Sequence, residues 1–261
     1  MNGDFAALEP LRIGCVQYLN AKPLIRDYCD RGGRVVFEHP AQLAEMIARG
    51  ELDAALVPTY EALRLPGFHA ADGVSISSRG PVYSVFLAHR GCLNKVRSIA
   101  LDPASRTSTH LLKVLLAEYH DLEPEYSCAN PEASDARLLI GDQAIEFRKE
   151  HGAAFSYLDL GGEWARCTSL PFVFAVWLIR PDVAKMEAVA DALRALKRAG
   201  LEHLGEIARE QKDVAFATRY LTEHIRFDLG EKEKTGIEKF RELLIKHSLL
   251  HAESRGPMQF V

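Results

Sequence analysis

Arg12-Ile13-Gly14-Cys15-Val16-Gln17-Tyr18-Leu19-Asn20-Ala21-Lys22-Pro23-Leu24 is the stretch whose reading decides the fold. Ile13 to Val16 reads as a buried strand. A short polar turn follows, then a helix with Pro23 in its first turn. Proline has no N–H and presets a helical φ, so it suits that place. Asn20 is therefore expected close to a helix N-terminus, at the C-terminal end of a strand. Ligands of α/β sheets bind at such ends, and free backbone N–H groups there favour anions.

The same pattern recurs downstream. Strands are expected at Val35–Glu38, Ala54–Val57, Ser84–Ala88, Ser98–Leu101, Leu138–Ile140, Phe155–Leu158 and Phe172–Ile179. Helices are expected after most of them, at about Pro23–Cys29, Pro40–Arg49, Pro58–Leu63, Thr109–Tyr119 and from Gly141-Asp142 to Glu150. Strands alternating with helices indicate a parallel-rich α/β fold. From Asp182 onward the chain is mostly amphipathic helix, near 182–199, 201–211, 213–225 and 232–248. This asymmetry predicts two lobes, with the chain leaving the first and returning to it through Val82–Ala88 and Phe172–Ile179. Lobe 1 is expected over 1–88 and 178–261, lobe 2 over 89–177, with a ligand cleft between them. One continuous α/β domain with a helical tail is the simpler alternative. Glu163 and Trp164, in Leu160-Gly161-Gly162-Glu163-Trp164, read as a loop and packing feature.

Bulk properties exclude several classes. Of 261 residues, 48% are hydrophobic and 26% charged, as in ordinary globular proteins. The formal charge of −4 argues against a nucleic-acid partner, which calls for a basic surplus. Five cysteines with no C-x-x-C spacing argue against a disulfide framework or a structural zinc site. No run approaches the ~18 apolar residues of a membrane span, and Met1 to Pro10 does not look like a secretory signal. A cytoplasmic protein is expected. Phosphate-loop, dinucleotide, serine-hydrolase and zinc-protease motifs are missing, and the ten histidines form no ligand pair. No metal and no organic cofactor is expected.

Three further segments are candidates for the site. Leu101-Asp102-Pro103-Ala104-Ser105-Arg106-Thr107-Ser108 joins a strand to a long helix. Capping accounts for one hydroxyl residue. Three hydroxyls and an arginine suggest a carboxylate or phosphate pocket, with an ordinary surface ion pair as the other reading for Arg106. Ser84 alternates with apolar neighbours in Gly80-Pro81-Val82-Tyr83-Ser84-Val85 and matters only if that strand crosses the cleft. In Leu139-Ile140-Gly141-Asp142, Gly141 permits a tight turn and Asp142 reads as a helix cap. Phe240, Leu243, Leu244 and Ile245 repeat at helical spacing, as core or as a dimer face, so a monomer and a homodimer are both open.

These segments together resemble one family, the chorismate dehydratases of the futalosine route to menaquinone. The resemblance rests on Tyr18-Leu19-Asn20 with Pro23-Leu24, Leu56-Val57-Pro58, Val82-Tyr83-Ser84-Val85, the Leu101 to Ser108 turn, Leu139-Ile140-Gly141-Asp142 and Leu170-Pro171-Phe172-Val173-Phe174-Ala175-Val176-Trp177. They occur in family order over roughly residues 11–180. The resemblance implies the two-lobed fold of type II periplasmic-binding proteins. It also implies loss of water from the dicarboxylate chorismate, giving 3-[(1-carboxyvinyl)oxy]benzoate. It makes Asn20 and Ser84 the catalytic candidates, orienting the C4 hydroxyl and the enolpyruvyl side chain. Tyr18, Pro58, Ser105, Arg106, Thr107, Ser108, Gly141 and Asp142 become substrate-binding candidates, with the turn at Ser105 to Ser108 on the ring carboxylate. No strong base is evident, so the substrate's own side-chain carboxylate is the candidate acceptor of the C3 proton. A non-catalytic carboxylate-binding or sensor protein on the same fold is the rival. A later enzyme of the same pathway is disfavoured by Tyr18-Leu19-Asn20.

Overall fold

The computed structural model describes residues 5–102, 106–128, 131–250 and 256–261. In chain order the first part runs β1 (Ile13–Cys15), a 3-10 turn (Leu19–Leu24), α1 (Arg26–Asp30), β2 (Val35–Phe37), α2 (Pro40–Ala48), β3 (Ala54–Pro58), α3 (Thr59–Arg64) and β4 (His69–Ser78). The middle runs β5 (Val85–His89), β6 (Ser98–Ala100), α4 (Arg106–Tyr119), β7 (Glu125–Ser127), β8 (Ala136–Ile140), α5 (Gly141–His151), β9 (Ser156–Asp159) and α6 (Leu160–Thr168). Then come β10 (Phe172–Ile179), α7 (Met186–Glu202), α8 (Leu204–Arg209), α9 (Val214–Arg219), a π-helical turn (Tyr220–His224), α10 (Glu231–Lys246) and β11 (Gln259–Phe260).

Two sheets organise these elements. The first has the order β11-β4-β10-β3-β1-β2 and the second β7-β6-β8-β5-β9. In the first, β1 pairs parallel with β2 and β3, whereas β10 lies antiparallel between β3 and β4. In the second, β6 pairs parallel with β7 and β8, and β5 is antiparallel to β8 and β9. The interior strands β3 and β5 are buried along their whole length, as their apolar runs at 54–58 and 85–88 require. The fold is the two-lobed α/β arrangement expected.

Both changeovers lie earlier in the chain than the expected 88/89 and 177/178. β5 belongs wholly to the second sheet and β10 wholly to the first. The chain therefore crosses at residues 79–84 and returns at 169–171. Each crossover carries a non-glycine residue at positive φ, Tyr83 at 67° and Ser169 at 59°. The Asp159 carboxylate pins the first crossover, accepting from Val82 N at 2.9 Å and Tyr83 N at 2.7 Å. It also caps α6 through Gly162 N at 2.9 Å.

Two elements depart from expectation. β4 is ten residues long, yet its serines disguise it. Ser75, Ser77 and Ser78 are fully buried, and the first two donate to the carbonyls of Asp228 and Arg226. Leu160 to Trp164 is not a loop but the start of α6. Its Gly161 is there for close approach, since a Cβ would lie 2.5 Å from Ser78 Oγ and 2.7 Å from Gly80 O. Phe240, Leu243 and Leu244 are buried within the chain, on the core side of α10. Among the described residues no helix is long and apolar enough to cross a membrane.

Candidate active site

A chamber lies between the two lobes. The first lobe contributes Val16, Tyr18, Asn20, Leu56, Pro58, Ile76, Phe174 and Ala175; the second contributes Val85, Thr107, Ser108, Ile140 and Gly141. Its volume is about 80 Å³, against about 1080 Å³ for an outer cleft that it adjoins at Tyr18. That outer cleft carries His39, Arg49 and Arg137. The described lining of the inner chamber has no Asp, Glu, His, Lys or Arg.

Asn20 reaches the chamber by a different route from the one expected. Pro23 falls inside a six-residue 3-10 turn that already contains Asn20, and α1 begins only at Arg26. The turn closes through Ala21 N to Tyr18 O at 2.9 Å. The Asn20 side-chain Oδ1 is buried and has no hydrogen-bond partner. Leaving a buried acceptor unpaired costs about 1–3 kcal/mol, so Oδ1 is an acceptor left open beside the chamber.

The second lobe supplies two helix N-termini. Thr107 and Ser108 of α4 and Gly141 of α5 line the chamber. α5 has no side-chain cap, and the positive end of each helix dipole favours a carboxylate there. Gly141 has φ +62, and an added Cβ would come within 3.2 Å of the Tyr18 ring. Its N–H donates to Ser84 O at 2.8 Å.

Several expected ligands turn out to join the lobes. Arg106 does not line the chamber. Its guanidinium pairs with Glu61 and Glu45, both at 3.1 Å, and both belong to the first lobe. Arg106 thus bridges the lobes, pairing with a buried Glu61 and an exposed Glu45. Thr107 Oγ1, besides lining the chamber, accepts from Tyr60 N at 2.9 Å. His110, one turn further along α4, stacks on Tyr60 with ring centroids 3.6 Å apart. Burial pushes the His110 pKa down to about 4. Asp142 is not the cap of α5, because the cap position is Ile140. Asp142 instead accepts from Leu19 N at 3.3 Å across the cleft, and burial raises its pKa. Burial also raises the Tyr18 phenol, with Asp102 and Asp142 adding to the effect. Ser105 lies outside the described residues.

Ser84 stands behind the chamber rather than in its lining. It is fully buried and precedes β5, between the lining residues Val82 and Val85. Its Oγ accepts from the Tyr220 hydroxyl at 2.7 Å. Sequence reading missed Tyr220, whose Phe216–Tyr220 spacing in an amphipathic run signals only core. Among the described residues no three His, Cys, Asp or Glu side chains group as metal ligands would.

The family model for menaquinone biosynthesis matches residues 11–246. The chain belongs to the menaquinone-biosynthesis family. A chorismate dehydratase from Thermus thermophilus is 32% identical, over 91% of this chain and 96% of that protein. One from Campylobacter jejuni is 27% identical, over 91% and 93%. Among solved structures, a protein from Archaeoglobus fulgidus superposes with a TM-score of 0.73 at 17% identity, over 92% of this chain and 98% of that one. The periplasmic aliphatic sulphonate binding protein of Escherichia coli gives 0.58 at 14% identity, over 94% of each. At such identities these two likenesses concern the fold, which is periplasmic-binding-protein-like, with the family's matched region spanning both sheets.

Proposed function

We propose that this family member is a chorismate dehydratase, a hydro-lyase converting chorismate to 3-[(1-carboxyvinyl)oxy]benzoate and water. One observation carries the reading: a partnerless Asn20 Oδ1 faces a chamber bounded by two helix N-termini, in a chain matched nearly end to end with dehydratases. Chorismate has two carboxylates for the helix ends and one neutral donor, its C4 hydroxyl, for Asn20.

The C3–H pair becomes a ring double bond while the C4–O bond breaks. Hydroxide leaves, combines with the C3 proton and departs as water, and the ring becomes aromatic. Charge developing at C3 is conjugated with the ring carboxylate. Donors at the starts of α4 and α5 stabilise it without reorganising during reaction. The described lining offers no strong base, so the substrate's enolpyruvyl carboxylate is assigned the C3 proton. Orientation is then the chief contribution of the protein, worth up to roughly 7–11 kcal/mol in favourable cases. A cleft that clamps both ends of the substrate and excludes water also disfavours the competing loss of pyruvate. The cytoplasm is the proposed compartment, which suits five unpaired cysteines.

The test mixes purified protein with chorismate, without added metal or cofactor, and follows products by chromatography and mass. Loss of one water with a benzoate chromophore is expected. Binding heat with unchanged chorismate would favour a sensor on this scaffold. Neither turnover nor binding would overturn the reading.

A further inference from the structure

Tyr220 is the one fully buried phenol that reaches both residues singled out for catalysis, although it comes from the opposite end of the chain. It stands on the π-helical turn Tyr220–His224, and such turns recur at functional sites. Its ring stacks on Phe216, with centroids 5.7 Å apart and planes 14° from parallel. The hydroxyl donates to Ser84 Oγ at 2.7 Å. The Asn20 side chain also hydrogen-bonds this phenol. Its Oδ1 is buried without a partner, so the contact is made through the amide nitrogen.

These facts fix a direction. A hydroxyl carries one donor and two acceptor sites. With its proton directed to Ser84, Tyr220 is left as acceptor toward Asn20. The Asn20 amide is then held with nitrogen toward the phenol and oxygen free. Ser84, accepting from Tyr220, keeps its own proton to donate. Burial raises the phenol's pKa, so the donor proton stays in place across ordinary pH.

We propose that Tyr220 is a positioning residue that orders the Asn20 amide and the Ser84 hydroxyl, setting Asn20 Oδ1 as the acceptor for the hydroxyl that leaves. The proposal deepens the dehydratase reading and rests on it for the identity of that hydroxyl. The order Asn20–Tyr220–Ser84 stands on the protein alone.

The test is Tyr220→Phe, which keeps the ring stacked on Phe216 and removes only the hydroxyl. Tyr28→Phe is the control, since the Tyr28 hydroxyl donates to Leu8 O in the core at 3.1 Å, away from the chamber. With chorismate, Tyr220→Phe is expected to lower kcat by about 10- to 100-fold while leaving KM little changed, as loss of orientation does. Tyr28→Phe is expected to lower the melting temperature without that loss of kcat. The double variant Tyr220→Phe with Ser84→Ala is expected to be no slower than the worse single one, because both remove the same link. A second readout needs no substrate. The side-chain amide resonance of Asn20, assigned by its absence in Asn20→Ala, should shift in Tyr220→Phe and stay in place in Tyr28→Phe.

An unchanged amide resonance overturns the proposal, whatever the activity. So does full kcat in Tyr220→Phe, or strict additivity with Ser84→Ala. If the resonance shifts but the unaltered protein fails to dehydrate chorismate, the order among the three side chains stands and the dehydratase reading falls.

Discussion

The first lobe meets the chamber with strand ends and apolar edges, Val16, Leu56, Pro58, Ile76 and Phe174, and with the single amide of Asn20. The second lobe meets it with the starts of α4 and α5, the hydroxyl residues Thr107 and Ser108 and the backbone of Gly141. One wall supplies shape and one acceptor. The other supplies oriented dipoles suited to anions. Neither wall brings a charged side chain among its described residues. The polar groups of the chamber are thus divided between the lobes.

The comparison breaks most sharply at Asn20. Asn20→Ala should lower kcat/KM by about 10²- to 10³-fold, the scale of losing one aligned polar group in an enclosed site. Near-full turnover of Asn20→Ala would mean that the first lobe contributes shape alone.

Behind the second wall, pH gives the next largest effect. Folding depresses the His110 pKa from 6.5 to about 4. The unfolded chain therefore takes up a proton before the folded one as pH falls through that window. Stability should drop progressively between pH 6.5 and about 4, by up to about 3 kcal/mol. Denaturant unfolding of the unaltered protein and of His110→Gln checks this. The variant should lose less stability across the window, and parallel curves would show that His110 does not titrate there.

Thr107 touches both walls. Thr107→Val leaves Tyr60 N–H buried without its acceptor and should destabilise by about 1–3 kcal/mol. Thr107→Ser should restore most of it in the same unfolding measurement.

Arg106 sharpens the comparison through its small effect. Its side chain is 35% exposed, and the buried Glu61 keeps Arg64 as a second partner at 3.1 Å, so the loss should stay within about 1 kcal/mol. Arg106→Met should raise KM modestly, with the difference shrinking as salt increases. A loss of chorismate binding comparable to that of Asn20→Ala would instead place Arg106 on a substrate carboxylate, the role its sequence position first suggested.

What could be read from sequence was local. Ile13 to Val16, Ala54 to Val57 and Phe172 to Ile179 are apolar runs, and burial follows from composition. Pro58, Thr107, Ser108 and Gly141 end strands or begin helices, and those points face the cleft in such folds. β4 was hidden because Ser75 and Ser77 satisfy their hydroxyls on carbonyls of residues 228 and 226, about 150 positions away. α6 was hidden because its glycines answer to the neighbouring crossover segment and not to helix propensity. Arg106 carries no sign of its partners, which lie on α2 and α3. Tyr220 is the extreme case, a residue whose significance depends on two side chains more than 130 positions away.

The carboxylate of Asp159 holds Val82 and Tyr83 of the outgoing crossover and Gly162 of the helix that leads to the returning one. In mechanical terms that carboxylate is a rivet: from the end of β9 it fastens the outgoing crossover to the start of α6, so the backbone at Tyr83 is held to the second lobe and Ser84 enters β5 from a fixed point.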